Sequence, residues 1–386
     1  MTKTTRKILQ TLGDYESRNV TFVADDGSWP MVWERANGVH VWDADGKKYL
    51  DLTAAFGVAA AGHANPNVVK AGQKQMAKLL HAMGDVHPHE LKAKLARELS
   101  KITFGRWNRT QNLKLKTKNF GKTIFCNSGF EAVEAALKTA ILATGKFGVI
   151  AFGGAYHGLG YGALNVTHRD HFRASFRTQL RQFCSFAPFP KNDSDLAEVE
   201  SVIRFYFRRQ KIGAILVEPI QTRGGINVPP AKFLPLLRRL CDEHSALLVL
   251  DEIYTGFGRT GKWFACEHTK TIPDVICLGK ALTGGFPLSA CVGRAYVMDE
   301  AWPPSTGEAI HTSTFLGHPV GCAMALAQIA EIKKLKLVEQ SATRGKFLLR
   351  ELQKQIRSSK FQIEIRGLGL MAGIELTNPN SSPATK

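Results

Sequence analysis

Five short apolar runs, separated by stretches of helical spacing, constrain this chain more than any other feature. They are Thr123-Ile124-Phe125-Cys126, Gly148-Val149-Ile150-Ala151-Phe152, Ala214-Ile215-Leu216-Val217, Leu247-Leu248-Val249-Leu250 and Val275-Ile276-Cys277-Leu278. A strand with one wet face alternates apolar and polar residues; these runs are apolar almost throughout. That is the pattern of central strands covered on both faces, as in a largely parallel sheet. Residues 131–143 and 230–244 supply the helical spacing between them. The expected fold class is therefore α/β. Ahead of the runs, residues 38–51 alternate apolar and polar positions around Asp45-Gly46, a hairpin signal. The polar tail 377–386 has the composition of a frayed end.

With 386 residues, 44% hydrophobic and 22% charged, the chain can bury a large core in two to three structural units. That balance excludes disordered, collagen-like and coiled-coil classes. No apolar run approaches the ~20 residues of a membrane span, so no membrane partner is expected. Seven Cys without a CxxC pair argue against a secreted disulfide framework. The opening Met1-Thr2-Lys3-Thr4-Thr5-Arg6-Lys7 lacks the apolar core of a secretory signal, and Asp14 and Glu16 argue against an organelle transit peptide. The expected location is the cytoplasm. Lys and Arg exceed Asp and Glu by 51 − 33 = +18, but the basic residues are scattered, with no RNA-binding signature. They read as a solvated surface rather than a nucleic-acid site.

In a parallel sheet, reactive groups belong just past the carboxyl ends of the strands. Here those positions carry Asn127-Ser128-Gly129-Phe130, Glu218-Pro219, Asp251-Glu252 and Gly279-Lys280. Lys280 directly follows a buried strand. Partial desolvation lowers a lysine's pKa and makes it a competent amine nucleophile. Alone, it could equally be an edge lysine reaching solvent. Asp251 needs a cationic or protonated partner: a pyridinium nitrogen would serve, and so would Arg259. Ser128 and Gly129 open a helix whose free N–H groups can hold an anion, and Glu131 can also complete an ordinary capping box. Tyr156 and His157 follow the strand ending at Phe152, where an aromatic ring can stack on a planar cofactor or simply pack in the core. The hydroxyl-rich turn Thr312-Ser313-Thr314-Phe315 suits a further phosphate contact. Dinucleotide, P-loop and GxSxG patterns are absent, and the pairs His87/His89 and His168/His171 lack further ligands at convincing spacing, so no metal is expected.

Together these segments resemble the class III (ornithine/4-aminobutyrate type) pyridoxal-phosphate aminotransferases, of fold type I. The match runs from about Gly38 to Leu376 and includes Asn127 to Ala136, Val217-Glu218-Pro219-Ile220-Gln221, Asp251-Glu252-Ile253-Tyr254-Thr255-Gly256-Phe257-Gly258-Arg259-Thr260-Gly261, Gly279-Lys280 and Ser313-Thr314-Phe315. The resemblance implies a large domain with a mostly parallel sheet plus a smaller α+β domain. Residues 1–60 would contribute to the small domain, 61–325 would form the large cofactor domain, and 326–386 the C-terminal small domain, shortened here. It implies pyridoxal 5'-phosphate as cofactor, with Lys280 forming the Schiff base and shuttling the proton. Asp251 would pair with the pyridinium nitrogen, with Ile253 under the ring, Tyr156 covering it and His157 a further cofactor contact. Ser128, Gly129 and Phe130 would hold the phosphate, Glu218 would join the polar network, and Thr314 would reach the phosphate of a partner subunit in a homodimer. The implied reaction moves an amino group from an amino acid or amine to an oxo acid or aldehyde. The same machinery serves class III aminomutases, decarboxylating transaminases and lyases, and a shortened relative could bind cofactor with little turnover.

Three departures from the family pattern stand out. The family's Asp-Glu-Val-Gln reads Asp251-Glu252-Ile253-Tyr254, putting a phenol where an amide approaches the ring hydroxyl. A glutamate that gates substrate in many members is Arg223 here. A fixed guanidinium at that position suits a substrate carboxylate. Finally, the family normally continues past Leu376 through an Arg-(Phe/Leu)-x-Pro-Pro-Leu segment, and this chain stops ten residues after Leu376.

Overall fold

The computed structural model describes residues 3–24, 29–110, 120–357 and 360–378. Its centre is a seven-stranded sheet built from β4 (Gly121–Cys126), β5 (Gly148–Phe152), β6 (Cys184–Ala187), β7 (Ile212–Val217), β8 (Leu247–Asp251), β9 (Val275–Leu278) and β10 (Ser289–Arg294). Before it come β1 (Trp33–Asn37), β2 (His40–Asp43) and β3 (Lys48–Leu50), and after it β11 (Gln362–Leu368) and β12 (Met371–Thr377). The central order is β4-β10-β9-β8-β7-β5-β6. Only β10 runs against its neighbours. This is the expected α/β, fold type I arrangement.

Four of the apolar runs, in β5, β7, β8 and β9, are buried on both faces because successive side chains feed two separate cores, whereas the run 123–126 lies in β4, a half-buried strand at the sheet's edge. Ile150, Phe152, Ile215, Val217, Leu248, Leu250, Ile276 and Leu278 pack with Leu95, Leu99, Val199, Ile203, Phe233 and Leu237. Those partners belong to helices Glu90–Ile102, Leu196–Arg209 and Phe233–His244. The alternate residues Val149, Ala151, Ala214, Leu216, Val249, Val275 and Cys277 face Ala132, Val133, Ala135, Ala136 and Ala140 of helix Gly129–Thr144. Small alanines let that helix approach the sheet closely, which brings its first turn over the strand ends.

The expected hairpin at 38–51 is β2–β3, with β1 added alongside. Asp43 shapes its turn: one oxygen accepts from the N–H groups of Asp45 and Lys47, the other from the Tyr49 hydroxyl. At the other end, β11 and β12 form an antiparallel pair. Their connecting Gly369 has φ +58°, and a Cβ there would stand 2.3 Å from the backbone of Thr260. The Leu370 N–H donates to the Arg259 carbonyl at 3.0 Å, so the hairpin tip rests on the loop that follows β8. No described helix is long and apolar enough to cross a membrane.

Candidate active site

At the carboxyl edge of the sheet lies a cavity of about 810 Å³, and the strand ends converge on it. Gly129, Phe130, Tyr156, His157, Glu218, Arg223, Asp251, Ile253 and Lys280 all line it. Ser128 sits one residue behind the lining. Thr314 does not line it; its side chain is exposed, on the turn before helix Pro319–Lys334.

Asp251 ends β8 on the face that carries Val249, the side of helix Gly129–Thr144. Its Oδ2 lies 2.8 Å from His157 Nδ1, and its Oδ1 accepts from the Ile253 N–H at 3.1 Å. Both side chains are shut away from water, at 6% and 0% exposure. Asp251 therefore does not use Arg259, the partner its sequence neighbourhood offered. Arg259 is held instead by a long contact from its Nη2 to the Gly57 carbonyl, and burial lowers its pKa. Beside Asp251, the buried Glu218 accepts from the Tyr156 N–H, the Thr222 N–H and the Thr222 hydroxyl. Burial first, opposed by the nearby His157, pushes the Glu218 carboxyl above its ordinary range.

Lys280 follows β9 after Gly279, with its backbone in the left-handed region at φ +42°. A strained lysine persists where its surroundings over-determine it, and such residues cluster at functional sites. Burial lowers the pKa of its amine below the ordinary 10.5, against the pull of Asp251 and Glu218. Its Nζ lies 4.6 Å from the centre of the Tyr254 ring. The neighbouring carboxylate Glu252 points elsewhere: it accepts from the Thr255 hydroxyl and from the Ala265 and Cys266 N–H groups, fixing the loop that presents Ile253 and Tyr254.

The phosphate-sized corner is the start of helix Gly129–Thr144. Glu131 reaches back to the N–H groups of Asn127 and Ser128, and the first-turn N–H groups of Gly129 and Phe130 have no carbonyl one turn earlier in the helix. The mouth is different. Arg223 stands over Tyr156 at 4.5 Å and Phe172 at 5.4 Å, and no carboxylate among the described residues pairs with it.

Sequence reasoning missed Phe56, Leu159, Ile220, Thr222 and Ile226 as lining residues, and treated Tyr254 only as a substitution. Phe56 is delivered by Ala54, Ala55, Phe56 and Gly57, four consecutive residues with positive φ, which no local apolar pattern announces.

This donor set fits pyridoxal phosphate: a buried amine of lowered pKa, a buried carboxylate for a ring nitrogen, a helix start for a phosphate, and Ile253 and Tyr156 as faces for a flat ring. A model of the aminotransferase class-III family matches residues 22–385. The acetylornithine aminotransferase of Methanosarcina mazei is 38% identical over 353 residues, covering 92% of this chain and 81% of its own length. The putrescine aminotransferase of Pectobacterium atrosepticum is 40% identical over 365 residues, covering 92% and 72%. An amine transaminase from an uncultivated Pseudomonas species, solved in its PLP-bound form, superposes with a TM-score of 0.81 at 28% identity, over 94% of this chain and 84% of its own. The chain belongs to the aminotransferase class-III family and is a pyridoxal-phosphate-dependent transaminase.

Proposed function

We propose that this transaminase takes an amino donor that carries a carboxylate, and that Arg223 receives that group at the cavity mouth. One observation carries the reading: Arg223 is stacked on Tyr156 and Phe172 at the rim, with no carboxylate partner among the described residues. Stacking keeps a planar guanidinium oriented while leaving its N–H fork free for an anion. Between Arg223 and Lys280 the walls are largely apolar, with Phe56, Ile220 and Ile226. They suit the methylene chain of a donor with its amine at one end and its carboxylate at the other.

When bound, pyridoxal phosphate supplies an aldehyde carbon that condenses with amines and a ring that draws off an electron pair. Lys280 would be the attachment residue, and its freed Nζ would carry a proton from the donor's amine-bearing carbon to the cofactor's aldehyde-derived carbon, a role its lowered pKa favours. Asp251 would hold negative charge against the ring nitrogen, and His157 fixes that carboxylate's orientation. Glu218 braces the Tyr156 loop, and Ile253 and Tyr156 would flank the ring. Ser128, Gly129 and Phe130 would bind the phosphate.

The exposed Thr314 fits a phosphate contact made to a neighbouring copy. Phe315 and Ile310 beside it, and Leu80 and Met83, are exposed apolar side chains, which supports a homodimer with the site at its interface. Residues 1–60 and 326–386 belong to the small domain and 61–325 to the large one, and the enzyme works in the cytoplasm. The test is the single-turnover donor half-reaction with 5-aminovalerate and, as its carboxylate-free counterpart, pentylamine. Arg223→Ala raises the half-saturating concentration of 5-aminovalerate by about 10- to 100-fold, the worth of a charge-assisted hydrogen bond, and leaves that of pentylamine nearly unchanged. Equal effects on both donors would end the carboxylate reading.

A further inference from the structure

We propose that Arg366, on strand β11 and outside the cavity, is a positioning residue that clamps the mouth loop and so sets where Arg223 stands. The proposal rests on the reading of Arg223 as the carboxylate receptor, and its structural half can be tested without it.

The loop 221–227 is pinned at its base, where Gln221 and Asn227 exchange backbone hydrogen bonds of 3.1 and 2.9 Å. Within it, the N–H groups of Gly225 and Ile226 both donate to the Thr222 carbonyl at 3.1 Å. The tip is strained: Gly225 has φ +121° and Ile226 φ +55°, and a β-branched residue rarely occupies that region. Such a conformation persists only where neighbours hold it.

The holding group comes from far along the chain. Arg366 Nη2 donates to the Gly225 carbonyl at 2.7 Å, and its Nε lies 3.1 Å from that oxygen and 3.2 Å from the Ile226 carbonyl. Its remaining nitrogen faces Glu375 at 2.5 Å and Glu364 at 3.2 Å, so two carboxylates of the same hairpin aim the guanidinium. Gly373 of β12 packs below: a Cβ there would stand 3.0 Å from Ile226 Cβ and 3.2 Å from the Gly225 carbonyl. The β11–β12 hairpin thus grips a loop whose inner side supplies Arg223 and Ile226 to the cavity. A lysine in place of Arg366 has a single charged nitrogen, which cannot span two carbonyls and two carboxylates as a planar fork does.

The experiment joins two measurements on the full chain. The first is hydrogen exchange of segment 221–227 without substrate; the second is the donor half-reaction with 5-aminovalerate and pentylamine. In Arg366→Met, exchange at Gly225 and Ile226 accelerates about 10-fold or more. The preference for 5-aminovalerate falls in half-saturating concentration more than in maximal rate, and Arg366→Lys lies between. Unchanged exchange in Arg366→Met overturns the clamp. Accelerated exchange, with donor preference lost in Arg223→Ala but kept in Arg366→Met, overturns the positioning role. Accelerated exchange, with preference kept in both variants, supports the clamp and overturns the carboxylate reading of Arg223.

Discussion

The floor and the mouth of the cavity are built on opposite plans. On the floor every charged group has company: Asp251 meets His157, Glu218 is tied to Thr222 and Tyr156, and Lys280 is drawn by both carboxylates. These residues sit at the ends of strands buried on both faces, where packing leaves little freedom. At the mouth, a cation stands on aromatic rings without a counter-ion among the described residues, on a strained loop held by a distant hairpin. The contrast teaches a division of labour. On the proposed reading, the floor fixes the chemistry for any donor, and the mouth chooses among donors.

Changes on the floor then slow all donors alike, whereas changes at the mouth separate them. Asp251→Asn is the severest of these. The carboxylate would keep the ring nitrogen protonated and the ring electron-withdrawing, so its loss lowers maximal rates for 5-aminovalerate and pentylamine together by about 100-fold or more, read in single turnover. A loss confined to one donor would erase the distinction. The Arg223 and Arg366 substitutions come next, with effects divided by donor. Glu218→Gln, also on the floor, slows both donors least and is read chiefly in stability. The folded-state pKa of Glu218 is raised by burial above the ordinary 4.5. The folded protein therefore holds that proton longer than the unfolded chain does, and stability from this group is lost as pH rises through the folded value. Thermal melts should show Glu218→Gln gaining on wild type as pH climbs above about 4.5, with no gain at lower pH.

Four of the five apolar runs become interior strands, whereas the first, Thr123–Cys126, becomes β4 at the sheet's edge, and the hairpin at 38–51 forms. β6 and β10 were not legible: β6 is a short, half-exposed edge strand, and β10 mixes Ser, Ala, Cys and Gly in place of branched residues. Strand parity explains why Asp251 and Glu252, indistinguishable as neighbouring letters, part ways. One continues the face of Val249 into the cavity; the other turns inward to hold the loop 252–266. The pairing of Asp251 with His157 spans 94 residues and depends on β5 and β8 ending at one edge, so local spacing offered Arg259 beside a pyridinium nitrogen, but not His157. Arg366 was unreadable for the same reason, since its partners Gly225 and Ile226 lie about 140 positions away and engage it through backbone carbonyls.

The central claim is that Lys280, Asp251 and the helix start at Gly129 flank one bound cofactor. Borohydride reduction of the protein loaded with pyridoxal phosphate, followed by peptide mass spectrometry, tests it most directly. The account predicts the phosphopyridoxyl mass on Lys280, and its loss in Lys280→Ala. Label on another lysine, or none on a folded and loaded chain, would contradict it.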